Sequence, residues 1–147
     1  MSLTADEMIA ALDAFEADSG YDENQFRLYP IVEGFKSLPN AAAVIPAIFS
    51  LIERFPEAYL GTPGPLVHSI ESLGIDRYES LLVESVRRQP AELNVWMVNR
   101  ILNTALPAQH RQVLLDLMRS VLVHPKCPPR IVKLTERFLD HQSKRPG

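Results

Sequence analysis

A single cysteine, Cys127, leaves no partner for an internal disulfide, and four scattered histidines in no His-Glu-x-x-His or paired-cysteine pattern remove the familiar zinc modules. The first 26 residues contain no lysine or arginine, so the amino terminus lacks the basic stretch of a secretory leader. The longest charge-free run near the middle, Ser37 to Ile52, is 16 residues long, holds Pro39 and Pro46, and falls short of the roughly 20 apolar residues that cross a bilayer. No stretch alternates apolar with polar residues and is rich in β-branched side chains, which argues against a sheet. Aromatic residues make up only 7% of the chain and do not interleave with bases, and the pI is near 5.8, so a nucleic-acid surface is not expected.

With 46% hydrophobic and 22% charged residues, the 147-residue chain has the balance of one soluble domain. At this length folding hides roughly 70% of the unfolded surface, enough for a core without a metal or a disulfide. The expectation is a cytoplasmic, all-helical domain that spans no membrane and carries no cofactor.

Charge is segregated along the chain. Residues 1–79 carry 13 acids and 4 bases, a balance of −9, whereas residues 80–147 carry 5 acids and 11 bases, a balance of +6. The acids begin at once, with Asp6, Glu7, Asp13, Glu16, Asp18, Asp22 and Glu23. Such a distribution either solvates a helix face or steers a charged partner to one end.

Helix punctuation is regular. Thr4 with Glu7 three residues on predicts a capping box and a helix from Ala5 to about Ala17, with Met8, Ile9, Leu12 and Phe15 inside. Residues 23–37 carry a helical pattern of Phe26, Tyr29, Val32, Phe35 and Leu38, which Pro30 should kink or split. Asn40 is placed to cap a helix reaching Arg54, with Pro46 disturbing its first turns. Gly61-Thr62-Pro63-Gly64-Pro65 reads as a rigid turn that caps a short helix ending at Gly74. Its prolines remove backbone donors that a phosphate loop would need. Helices then follow from about Tyr78 to before Pro90, from Leu93 to Ala105, from Pro107 to before Pro125, and from Pro128 to residue 142.

About eight helices joined by short links suit a short α-solenoid of HEAT-like antiparallel pairs, drawn at 63–89 and 91–124 with 128–142 as a closing helix. A compact irregular bundle is the competing architecture. In this reading the chain is one domain, with acidic helices over 1–57, helix pairs over 58–142 and a tail over 143–147.

No set of polar residues converges as catalysis requires, so no enzyme activity is expected. Cys127 lies beside Lys126, whose charge would lower the thiol pKa, but no histidine is placed by sequence to act as its base. The more particular feature is a stripe of Trp96, Asn99, Arg100 and Asn103 at i, i+3, i+4 and i+7, which His68 and Glu71, three apart on the first helix of the preceding repeat, either extend or leave by pairing locally. Two asparagines and an arginine in a helix centre are not there for propensity. Either they satisfy neighbouring loop backbone groups inside the stack or they face a groove and read a partner.

Two segments, Leu60 to Glu71 and Val95 to Asn103, resemble a family of small HEAT-like helical proteins encoded beside bacterial polymorphic and contact-dependent toxins, where they serve as immunity proteins. The likeness covers about residues 56–106 and leaves the acidic amino-terminal third outside. It implies a protein that binds and blocks a cognate toxin domain, often a nuclease, inside the cell that makes it. Under that reading Asp13, Glu16 and Asp22 would face a basic toxin cleft while the Trp96 stripe supplies a second contact. The alternative is an adaptor domain that uses the same stripe to hold a peptide or helix, and a third is an enzyme subunit whose site forms only across an oligomer interface.

Overall fold

A computed structural model describes residues 3–18 and 23–145. Among them lie eight α-helices and no strand: α1 (Ala5–Ala14), α2 (Glu23–Val32), α3 (Ile45–Arg54), α4 (Gly64–Glu71), α5 (Ile75–Arg88), α6 (Glu92–Leu102), α7 (Ala108–Val121) and α8 (Pro129–Ser143). The chain is all-α, as its pattern predicts.

The capping box forms as read. Thr4 Oγ1 accepts from the Glu7 amide at 3.2 Å, and Glu7 Oε1 accepts from the Thr4 amide at 2.9 Å, which holds the Glu7 carboxyl below its usual range. The helix stops three residues earlier than its acids and alanines suggest. Arg54 donates to the carbonyls of Leu12 and Phe15 at 2.8 and 3.1 Å, satisfying the terminal acceptors and releasing Phe15 into extended backbone. Arg27 completes this end by donating to the Glu16 carbonyl at 2.7 Å while lying over the Phe15 ring.

Pro46 acts where expected, since a 3-10 turn over Ala41–Val44 precedes α3, although Asn40 makes no side-chain cap. The turn into α4 likewise uses no side-chain cap, and Thr62 is exposed. Gly61 at φ +103° and Gly64 at φ +72° turn the chain there.

Packing follows two rows. Helices α1, α3, α5 and α7 lie side by side in succession, and α2–α4 and α6–α8 form the second row, with α5–α6, α6–α7 and α7–α8 joining the two. The two segments drawn as pairs differ: α6 and α7 pack closely, whereas α4 lies chiefly on α2 and α5 on α3 and α6. One hydrophobic cluster runs from Ala5 on α1 to Ile131 on α8. Leu93, Val95, Val98, Ile101 and Leu102 of α6 are buried, so this helix is the centre of the stack.

Sequence expectations fail locally at α2 and at the end of α6. In α2 the buried face is Asn24, Leu28 and Val32, while Phe26 and Tyr29 point outward at 65% and 49% exposure. The cause is Asn24, which is fully buried because it accepts from the Asp18 amide at 2.6 Å and donates to the carbonyls of Asp18 and Tyr59 at 2.8 and 3.0 Å. That tether rotates the helix away from its more apolar stripe. Ala105 is exposed because α6 ends at Leu102, and Val113 is exposed because Leu114, Leu117, Met118 and Val121 form the inner face of α7.

Candidate functional site

The α6 stripe is brought together and then divided between two roles. Arg100 donates through Nε and Nη2 to the two carboxylate oxygens of Glu71, both at 2.7 Å, and its guanidinium lies 4.9 Å from the centroid of the half-buried Trp96 ring. This fork geometry joins α6 to α4 and raises the Arg100 pKa, chiefly through the hydrogen bond to Glu71. Tyr78 of α5 sits beneath the pair, and burial, followed by the Glu71 charge, pushes its hydroxyl up to about 12. Glu71 therefore extends the stripe as its spacing suggests.

Asn99 makes its side-chain contact inside the protein, whereas Asn103 bonds the same partner from an exposed position. Gln142 of α8 donates to Asn99 Oδ1 and Asn103 Oδ1, each at 2.8 Å, and its own Oε1 accepts from Arg111 at 3.0 Å. Asn99 is 8% exposed, so this bond uses its acceptor inside the protein. Asn103 is exposed, and Arg145 donates to both its side-chain and backbone oxygens at 3.1 and 3.0 Å. The partner is thus a side chain of α8, not a loop backbone. Nothing local in the sequence pairs Gln142 with these asparagines, but its phase does mark it as inward, since Ile131, Thr135 and Gln142 share one buried face.

His68 does not join this stripe. It is exposed on α4 and lines a separate cleft of about 480 Å³ with Tyr29, Pro30, Val32, Glu33 and Pro65. Asp13 and Glu16 are exposed on α1 and the segment after it, and Asp22 lies outside the described residues. Trp96 also borders a cleft of about 570 Å³ with Tyr59, Glu92, Arg137 and Phe138.

The charge segregation resolves into paired and unpaired parts. Glu53 meets Arg88 at 2.9 Å, Glu71 meets Arg100 at 2.7 Å, Glu79 meets His110 at 2.7 Å and Glu57 meets Arg130 at 3.7 Å, so acids of the first half bind bases of the second. Glu53 also accepts from the buried Ser85 hydroxyl at 2.7 Å, and Ser85 accepts from the Asn94 amide at 3.0 Å, tying α3, α5 and α6. By contrast, Asp6, Asp13, Glu16, Asp18, Glu23 and Glu33 are all exposed, and among the described residues none of them forms an ion pair. Of the bases in this half of the chain, Arg27 and Arg54 donate to backbone carbonyls, and the exposed Lys36 forms no ion pair among the described residues.

Cys127 behaves opposite to the expectation set by Lys126. The half-buried thiol is pushed up, first by burial and then by the Glu57 charge, so less of it is thiolate. The nearby His124 accepts the Lys126 amide on Nδ1 at 3.1 Å, which places the ring proton on Nε2 facing the Arg87 carbonyl at 2.7 Å. Among the described residues no three His, Cys, Asp or Glu side chains lie together so as to hold a metal ion, and no helix is long and apolar enough to cross a membrane. No protein-family profile, curated protein or solved structure matches the chain.

Proposed function

We propose that this chain is an immunity-type binding domain that blocks a cognate toxin domain by occupying its cleft or an adjoining surface one-to-one, without chemistry of its own. The observation that carries the reading is the set of exposed carboxylates on and just after α1 and α2 that form no ion pair among the described residues. An acidic surface of this kind accelerates encounter with a basic cleft and, for a nuclease, offers carboxylates where phosphates would sit. The two rows of helices, taken as a short solenoid, keep that surface preorganised, so little ordering entropy is lost on binding. The likeness of Leu60–Glu71 and Val95–Asn103 to toxin-immunity proteins supports the same reading.

The test is co-expression with the toxin domain encoded next to this gene, inside the producing cell. Protection and a one-to-one complex on gel filtration are expected. Asp13→Lys with Glu16→Lys should slow association about tenfold at low salt and lose that effect as salt rises. Absence of both a complex and protection overturns the proposal. The adaptor reading rests on the aromatic cleft beside Trp96, and it gains ground if the neighbouring genes encode no toxin and a peptide or helix of another protein binds there instead.

A further inference from the structure

Two aromatic side chains of the amino-terminal third, Phe26 and Tyr29, face solvent. Phe26, Tyr29, Pro30 and Glu33 stand at i, i+3, i+4 and i+7, opposite the buried Asn24, Leu28 and Val32. Scattered exposed apolar residues are ordinary, but two large aromatics on one stripe beside a cleft of about 480 Å³ form a contiguous patch. Across the cleft stand Pro65 and His68 of α4, which packs on α2. Glu23 begins α2, one turn before Phe26, and Glu33 follows one turn after Tyr29. Both carboxylates are exposed, and Arg27 spends its charge on the Glu16 carbonyl and the Phe15 ring. The stripe therefore has an aromatic centre and anionic ends.

We infer that the α2–α4 cleft is the anchor site for a basic segment of a partner protein, with one apolar side chain seated between Tyr29 and His68 and a lysine or arginine reaching each of Glu23 and Glu33. Ten helical positions separate the two carboxylates, about 15 Å at the helical rise, and an extended strand of about five residues covers that span. Anionic ends repel nucleic-acid phosphates and acidic lipid headgroups, and aromatic side chains are among the residues most enriched as protein hot spots, so the occupant is a polypeptide. The inference rests on the basic partner proposed above and adds where that partner is anchored.

The probe is a short peptide with lysines at both ends and a central phenylalanine, titrated into the full chain and followed by amide NMR. Saturable shifts at Tyr29, Val32, His68 and Ser69 are expected. Affinity should fall about tenfold with a serine-centred peptide, with a glutamate-ended peptide, and with Tyr29→Ser, whose exposed position keeps the thermal midpoint unchanged. Shifts confined to α1, no shifts at all, or equal affinity of the serine-centred peptide overturn the inference. A dimer in sedimentation that disperses on Phe26→Ser makes a second copy the occupant and also overturns it. With the toxin complex as readout, loss of affinity on Asp13→Lys and Glu16→Lys but not on Tyr29→Ser refutes the anchor alone. Indifference to the charge reversals as well refutes the acidic-face reading itself.

Discussion

Replacing Asn99 by alanine separates the two roles that its position allows. Asn99 Oδ1 accepts from Gln142 Nε2 at 2.8 Å in a buried contact, and Gln142 is itself only 2% exposed. Truncation leaves the Gln142 amide with Asn103 as its remaining side-chain acceptor, and an unsatisfied buried group costs about 1–3 kcal/mol. For a domain of this size each kcal/mol moves the thermal midpoint by about 2–4 °C, so Asn99→Ala should lower it by about 2–12 °C. Gln142→Ala should cost at least as much, because it also removes an acceptor from Arg111. The double variant should show a coupling of about 0.5–2 kcal/mol, as expected of side chains in one network. Thermal unfolding by circular dichroism gives all three values. Partner affinity of Asn99→Ala, measured well below its midpoint, should stay within twofold of the native chain. An unchanged midpoint with lost binding would refute the internal assignment and return Asn99 to the interface.

Two further outcomes test other parts of the structure. Tyr78 has a folded-state pKa raised from 10.0 to about 12, so the unfolded chain loses that proton first. The stability it contributes is present below pH 10 and is lost as pH rises toward 12, by up to about 3 kcal/mol at roughly 1.4 kcal/mol per pKa unit. Chemical denaturation across that window should show the fall, and Tyr78→Phe should flatten it; an equal slope in both chains contradicts the burial argument. At the turn into α4, a Cβ on Gly61 would lie 2.5 Å from the Gly64 Cα at φ +103°, whereas one on Gly64 would meet open space at φ +72°. Gly61→Ala should therefore cost about 2–4 kcal/mol and Gly64→Ala only the backbone strain of about 1 kcal/mol, read as the difference between their urea midpoints. Equal losses would mean that the close approach does not matter.

Much of the helical layout is legible in the sequence because its signals are local. Thr4 and Glu7 cap α1 across a single turn, and Pro46, Pro63, Pro65 and Pro129 mark helix openings through a fixed φ and a missing donor. The errors arise where a distant group decides. Nothing near Ala14 announces that Arg54, forty residues on, will satisfy the end of α1. The face of α2 is set by Asn24 reaching Tyr59 as well as Asp18, so hydrophobic periodicity misplaces Phe26 and Tyr29 while Val32 and Phe35 are buried as it suggests. The stripe on α6 is visible as a polar anomaly, but its meaning depends on Gln142 and Arg111 from helices that lie outside any local window. Glu71 is found because it shares a repeat-scale spacing with Arg100, whereas His68, three residues away on the same short helix, turns toward α2.

The opposed charges of the two halves carry a constraint that neither half shows alone. Each partly exposed ion pair contributes only about 0–1 kcal/mol, so Glu53–Arg88, Glu71–Arg100 and Glu79–His110 cannot account for the stability of the domain. Their effect is selective instead. They join α3 to α5, α4 to α6 and α5 to α7, while Arg130 of α8 reaches Glu57 and Glu92, so this arrangement of helices is favoured over one that leaves those charges unpaired. Having met their cations, these acids are unavailable to a partner. Among the described residues, Asp6, Asp13, Glu16, Asp18, Glu23 and Glu33 form no such pair, and Arg27 and Arg54 are committed to backbone carbonyls at the end of α1. The same segregation thus leaves its surplus at one end, beside the two exposed aromatics of α2, where, under the proposal, attraction of a basic surface and burial of an apolar anchor would act together.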